Sequence, residues 1–484
     1  MMMRNGSVVV FILLAVLVLP LQGQEQLGMR LSNYSGVNGM LFNPAHNLTS
    51  GMPWDVNLVS AYGFVENNYM FIENASIPEV LRYREDPTWI PAFDAENPNN
   101  LEPGEFIIDF RDNGRRRYAD VHSGITGPSF MVNLPSGHTF GFFTGLRFAA
   151  TAQNIPNVLS YYKYDGKPFY TPFNIDPFES ALLGWGEIGL NYGLKLPTNR
   201  DGVFGFGLNL KFLQGLEGAY FESLLPVDLT KLPGDTITSN VASLRYGYTN
   251  SNTDGGDFSP AFNGIGIGVD LGIVYAQGEV GDTYQWKFGA SILDVGGIRF
   301  NKNAQRHQTV INKDVFVPGA EYEFNGITSL DTVVWQFSED ALGNQNASFA
   351  GSDFQIFLPT ALSLQFDYAF TEQIFVNATL VQRIPVPGIA PQRSNILALT
   401  PRFEHRWFEA SLPISFYNYG HLRVGLAARL GPLILGVDNL AGYFGEVEEL
   451  SGGDLYLGLK VPFFEIARGA NHRVRGKAPR CYSF

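Results

Sequence analysis

The chain is poor in the residues that mark several common protein classes. It has one cysteine, Cys481, in 484 residues. That excludes a disulfide framework and a cysteine-rich metal site, and so late a position cannot serve as a lipoprotein anchor. Charged residues make up 16%, against ~25% in soluble domains. After the first two dozen residues, no stretch reaches the ~18 uninterrupted apolar residues of a transmembrane helix. The chain has no His-Glu-x-x-His, Walker loop, Cys-x-x-Cys or Gly-x-Ser-x-Gly, and no dinucleotide fingerprint at a strand–helix junction. Its seven histidines are scattered. No enzyme activity and no cofactor are therefore expected. The net charge of −13 supplies no general basic surface, so nucleic acid is not an expected partner.

Glycine and aromatic residues are abundant: 53 glycines and 14% aromatics, with a mean hydropathy of −0.02. A near-zero mean is what alternating apolar and polar residues produce. Residues 1–23 read as a secretory signal, with Arg4 the only early charge, an apolar run from Val8 to Leu21, and Gly23 at a cleavage position before Gln24. About fourteen apolar residues is too short to span a bilayer. An exported chain without helical spans can still cross a membrane as a closed barrel, where every backbone polar group is paired.

The alternation itself is explicit. Ile188, Leu190, Tyr192, Leu194 and Leu196 share one face, with Gly189, Asn191, Gly193 and Lys195 on the other. After a turn over 197–202, Phe204 to Phe212 repeat the pattern against Gly205, Gly207, Asn209 and Lys211. The same period places Phe140 to Phe148, Ile265 to Tyr275, Tyr284 to Ile292, Leu362 to Phe370, Phe408 to Phe416, Leu422 to Leu430 and Leu455 to Phe463 on apolar faces. A soluble sandwich would put Thr, Lys or Glu where glycine crowds here. Strands of about nine residues or more match the ~9–11 needed to cross lipid.

Strands are predicted to start near 54, 125, 138, 183, 203, 262, 283, 358, 374, 394, 407, 421, 432 and 454. Short turns near 135–138, 197–202, 278–282, 371–373, 405–407 and 430–432 alternate with longer connections at 63–124, 153–182, 218–261, 295–357, 387–393 and 440–453; 417–420 is a short exception. Short periplasmic turns and long external loops are the asymmetry of outer-membrane barrels. The expected fold is all-β: an antiparallel transmembrane β-barrel of about 14 strands over 54–464, both ends periplasmic, with long external loops.

In those loops, Arg115, Arg116 and Arg117 read as a solvated or headgroup-facing patch. The acidic stretches Asp94 to Asn100 and Asn252 to Asp257 lack the spacing of a calcium loop, so no metal is assigned. The sequons at Asn47, Asn74, Asn346 and Asn377 read as chance in a bacterial host. A Ser411–His405 pair is of the kind any polar lumen contains. The lumen-lining candidates are Arg147, Glu187, Lys195, Lys211, Asp270, Lys287, Asp367, Arg423 and Arg429, read foremost as paired charges bracing the wall. Fourteen strands give a backbone cylinder roughly 28 Å across, too wide for side chains alone to fill. Residues 24–53 are the natural plug.

That segment carries a resemblance. Asn33-Tyr34-Ser35-Gly36, Asn43-Pro44-Ala45 and Asp55-Val56-Asn57-Leu58 resemble the opening of an uncharacterised outer-membrane barrel family, similar to the PorP/SprF-like and PorV-like barrels of type IX secretion. Asn43-Pro44-Ala45 before the first strand also resembles long-chain fatty-acid transporters, whose N-terminal hatch plugs a fourteen-stranded barrel. Further matches are Gly266–Tyr275, Ser291-Ile292-Leu293-Asp294-Val295-Gly296 and Gly436-Val437-Asp438-Asn439-Leu440, so the resemblance spans roughly residues 30–464. It implies an outer-membrane location and fold, without a solute. The closing-strand signal is placed at Gly458, Val461 and Phe463 rather than at terminal Phe484. Residues 465–484 are expected to be a basic periplasmic tail.

Two functions are compatible with these residues. One is a channel or transporter-like barrel for hydrophobic or small solutes. The other is a structural subunit of a secretion or surface-protein complex, with protein partners at the external loops or the tail. Either would contact outer-membrane lipid and be inserted by the barrel-assembly machinery.

Overall fold

The computed structural model describes residues 25–95, 100–160, 166–198, 202–234, 236–253, 259–278, 284–318 and 329–461. The expected signal segment, Phe463, Cys481 and the 465–484 tail lie outside them.

Fourteen strands close on themselves. They are β1 (Trp54–Asn67), β2 (Arg117–Thr126 with Ser129–Asn133), β3 (His138–Ile155), β4 (Glu179–Pro197), β5 (Gly202–Ser223), β6 (Gly264–Gln277) and β7 (Trp286–Phe300). There follow β8 (Phe354–Phe357 with Ala361–Ala369), β9 (Ile374–Arg383), β10 (Ile396–Glu404), β11 (Phe408–Ser411 with Ile414–Tyr417), β12 (His421–Val424 with Leu426–Leu430), β13 (Leu433–Val437) and β14 (Gly452–Lys460). Each pairs antiparallel with its sequence neighbour, and β14 returns to β1 through pairs such as Ser60↔Gly458 and Tyr62↔Tyr456. Three of the four divided strands break at a proline, where the ladder cannot continue. Pro128, Pro359 and Pro413 lack the donor N–H.

The two faces of each strand have opposite fates. On β4, Ile188 and Leu190 are more than half exposed, while Asn191 between Leu190 and Tyr192 is 3% exposed. Contiguous exposed Leu, Ile and Phe around a closed barrel form a surface that lipid, not water, accommodates. The polar rows point inward and are buried because something occupies the interior. This is a transmembrane β-barrel.

Two sequence assignments are corrected. Tyr284 was placed on the apolar outer face, but β7 begins at Trp286, and Tyr284 turns inward with 4% exposure. Arg117 does not belong to a solvated patch. It is 1% exposed and donates to Asn157 Oδ1 and the Asn68 carbonyl, both at 2.9 Å. Arg115 and Arg116 remain exposed.

On the long-loop side, β5 continues past the barrel and pairs with Ala242–Thr249, which pairs with Ala304–Ile311. Two four-stranded sheets and the helix Leu330–Leu342 add to this external region. That helix starts at Ser329, whose side chain accepts from the Thr332 N–H, and stops at Gly343 in the left-handed region.

A candidate functional site in the barrel lumen

Residues 25–53 form two short helices, Leu27–Arg30 and Val37–Met40, and a 3-10 turn, His46–Thr49, lodged among the inward rows. Such short helices are not stable alone; the wall supplies their partners. Asn43 closes a tight turn by accepting from the Ala45 N–H at 3.0 Å, and its amide donates to the Ile273 carbonyl of β6 at 3.2 Å. Asn191 of β4 donates to the Pro44 carbonyl, Asn209 of β5 to the Met40 carbonyl, and Ser291 of β7 to the Phe42 carbonyl, at 3.1, 3.0 and 2.9 Å.

The glycines of the polar face make this approach possible. A Cβ on Gly207 would lie 2.3 Å from the Pro44 carbonyl carbon, and one on Gly272 would lie 2.2 Å from Asn43 Oδ1. The inner wall is flat where the segment's backbone rests.

His46 is buried in the same turn. Its Nε2 lies 3.0 Å from the Ser32 carbonyl, which can only accept, so that nitrogen carries the proton. Burial first, then the nearby Lys287 ammonium, push its pKa down to about 3.

Nearer the seam, Lys460 of β14 donates to the Tyr34 and Ser35 carbonyls at 2.9 Å and pairs with Asp55 of β1 at 2.9 Å. Asp55 in turn accepts from the Val37 N–H at 2.8 Å. Gly36 adopts φ 55 at this turn, and a Cβ there would strike the Asp55 carboxylate at 2.1 Å.

Two ion-pair networks hold the other end of the segment. In the first, Arg402 of β10 grips Asp367 of β8 through both terminal nitrogens (2.8 and 2.5 Å) and reaches Glu404 at 2.5 Å. Glu404 accepts from the backbone and side-chain amides of Asn33 at 3.2 and 3.0 Å. Tyr284 OH lies between Asp367 Oδ2 (2.6 Å) and Asn33 Oδ1 (3.0 Å), and Lys287 is 3.9 Å from Asp367.

The second network centres on Asp294. It accepts from Arg147 at 2.8 and 2.9 Å, from Lys211 at 2.7 Å and from Arg393 at 3.3 Å. Lys211 also binds Asp270 at 2.7 Å, and Arg147 lies 3.4 Å from Glu187. Arg393 clasps Glu25 at 2.6 and 2.7 Å, and Arg30 is 3.9 Å from Glu25. A cavity of about 40 Å³ remains among Arg30, His122, Arg147 and Arg393. The Leu27 N–H reaches Asp438 at 3.3 Å; burial pushes that carboxyl up to about 6.

Of the lumen candidates, Arg147, Glu187, Lys211 and Asp270 share the second network, and Lys287 and Asp367 the first. Arg423 pairs with Glu66 and Arg429 with Glu409. Lys195, at the short-turn end of β4, is exposed and joins neither network. Asp294, Arg393, Arg402, Glu404 and Glu25 were not among the candidates. For Arg402 and Glu404 the signal was available, since they alternate with Leu399, Pro401 and Phe403. Among the described residues no group of His, Cys, Asp and Glu is arranged to hold a metal.

The molecule is thus a closed fourteen-stranded membrane barrel whose own N-terminal segment occupies its lumen. The chain belongs to a family of unknown function, DUF5723, whose model matches residues 94–438, which is 345 of 484 residues. No curated protein matches it. It is similar to the Pseudomonas putida toluene transporter TodX, at 10% identity over 92% of this chain and 100% of that one, with a TM-score of 0.42. The Ralstonia pickettii toluene transporter TbuX gives 10% identity over 89% and 94%, with a TM-score of 0.35. A Pseudomonas aeruginosa FadL homologue gives 10% over 92% and 99%, with a TM-score of 0.24.

Proposed function

We propose that this protein is an outer-membrane channel for hydrophobic or small solutes, held closed in this conformation by residues 25–53. The observation that carries the reading is the occupant itself. A barrel wide enough to conduct is filled by a segment held by hydrogen bonds, ion pairs and the apolar packing of Leu27, Leu31, Met40 and Phe42 against the wall. Such an occupant can leave without breaking a covalent bond. An inward apolar cluster that includes Trp185, Leu213, Phe300 and Ile356 suits a hydrophobic passenger.

The test is conductance in planar bilayers. The parent should stay mostly silent, and a full chain lacking only residues 27–50 should show discrete pore steps. Silence in both, with heat-modifiable gel migration proving both barrels folded, rejects the channel. A second reading, a structural subunit of a surface complex, is favoured by the external region and its exposed Phe316 on a sheet, Trp335 on the helix and Phe444 in a bend. A partner co-purifying in fixed ratio with a silent barrel would support it.

A further inference from the structure

The connection between β9 and β10 lies on the long-loop side, yet it turns into the barrel. Pro385, Pro387 and Gly388 are exposed, while Pro391, Arg393 and Ser394 are buried. The inner half is tied to strands on several sides. The Ile389 carbonyl accepts from the Phe357 N–H of β8 at 2.8 Å, and the Gln392 N–H donates to Thr151 Oγ1 of β3 at 2.9 Å. The Gln392 side chain reaches Glu179 of β4 at 2.8 Å, and Ser394 donates to Asp120 of β2 at 2.7 Å. Residues 384–395 are therefore a strap across the mouth. Three prolines fix much of its backbone, so displacement at the exposed end is transmitted rather than absorbed.

Arg393 is the point where strap, wall and N-terminal segment meet. Its guanidinium spans Glu25, which is fully buried, and Asp294 in the wall. A bidentate guanidinium–carboxylate pair fixes orientation as well as charge. Among the described residues, withdrawing Arg393 would leave Glu25 with the 3.9 Å contact to Arg30, a buried carboxylate without adequate compensation.

We infer that the 384–395 strap is the lock on the N-terminal segment: Arg393 holds Glu25 in place, and outward displacement of the strap from the external side releases the segment. This rests on the reading that the segment closes the lumen.

The test places a cysteine at buried Asn38 (N38C) in a C481S background and measures its labelling by a maleimide in the full-length, membrane-inserted protein. Arg393→Gln should raise the labelling rate at least about tenfold, because breaking a buried pair is strongly destabilising, and Arg393→Lys should give an intermediate rate. Glu25→Gln breaks the same tie from the other side. The R393Q/E25Q double variant should label no faster than the faster single variant, as two ends of one interaction require. The control Arg299→Gln removes an exposed pair with Asp353 and should change nothing.

If R393Q and E25Q, each shown folded by heat-modifiable migration, label no faster than the parent, the lock is overturned. Conductance on the same variants separates the two proposals. Faster labelling without pore steps upholds the lock and removes the channel.

Discussion

The two halves of the lumenal segment are held by different physics. Residues 36–49 rest on glycine and are bonded chiefly by neutral amides and carbonyls; residues 25–33 are held chiefly by carboxylates and guanidinium groups. A neutral seat is specific through shape: it tolerates salt and fails when atoms are added. A charged tie is specific through compensation, because each buried ion depends on its partner and removing one strands the rest. The difference makes one half depend on the fit of its seat and the other on paired charge, so removing a charge is the direct way to release the segment.

The largest expected effect is at the charged half. Asp294→Ala removes the acceptor shared by Arg147, Lys211 and Arg393 and should destabilise the barrel by about 3–5 kcal/mol. Denaturant titration of the purified protein in detergent micelles would measure it. At the neutral half, Gly207→Val drives a side chain into the Pro44–Ala45 backbone and should cost about 1–3 kcal/mol. Its signature should be faster labelling at Asn38→Cys with little change in the barrel's own unfolding. If Gly207→Val proves costlier than Asp294→Ala, the contrast between the halves is wrong.

The smallest effect is a pH dependence from the neutral half. His46 has its folded pKa lowered from 6.5 to about 3. The released segment therefore takes up a proton below about pH 6.5 that the docked one refuses. Docking is fully stable above that pH and weakens as pH falls toward 3. Between pH 7 and 5.5 the loss should be about 1.4 kcal/mol, the weight of roughly one pH unit below 6.5. His46→Asn should flatten the profile of labelling against pH.

Much of the barrel was legible because a strand in lipid writes its two environments alternately along the chain. Ile188 to Leu196 shows this, and the starts expected at 54, 138, 374 and 421 are the observed ones. Parity also explains the failures. In β7 the ladder slips between Val269 and Leu271 of β6, so Leu293 and Asp294 both turn inward, and Asp294 takes φ 56. Counting by twos puts Asp294 outside, and so the centre of the larger network was missed. Arg393 lies in a connection, where no period applies. Glu25 precedes the first strand, and only the folded lumen shows what it meets. The first division of β2, which begins at Arg117 rather than near 125, was obscured because Ser123 interrupts the apolar row of Ala119, Val121 and Ile125.

Lys460 and Asp55 belong to the last and first strands, and together they hold the turn at Gly36. Neither residue is in place until the sheet has rolled up and its edges have met. The turn they hold lies immediately upstream of the first of those edges. Closure of the cylinder and seating of its occupant are thus one cooperative step of biogenesis, in which the wall is completed around a guest already at the threshold.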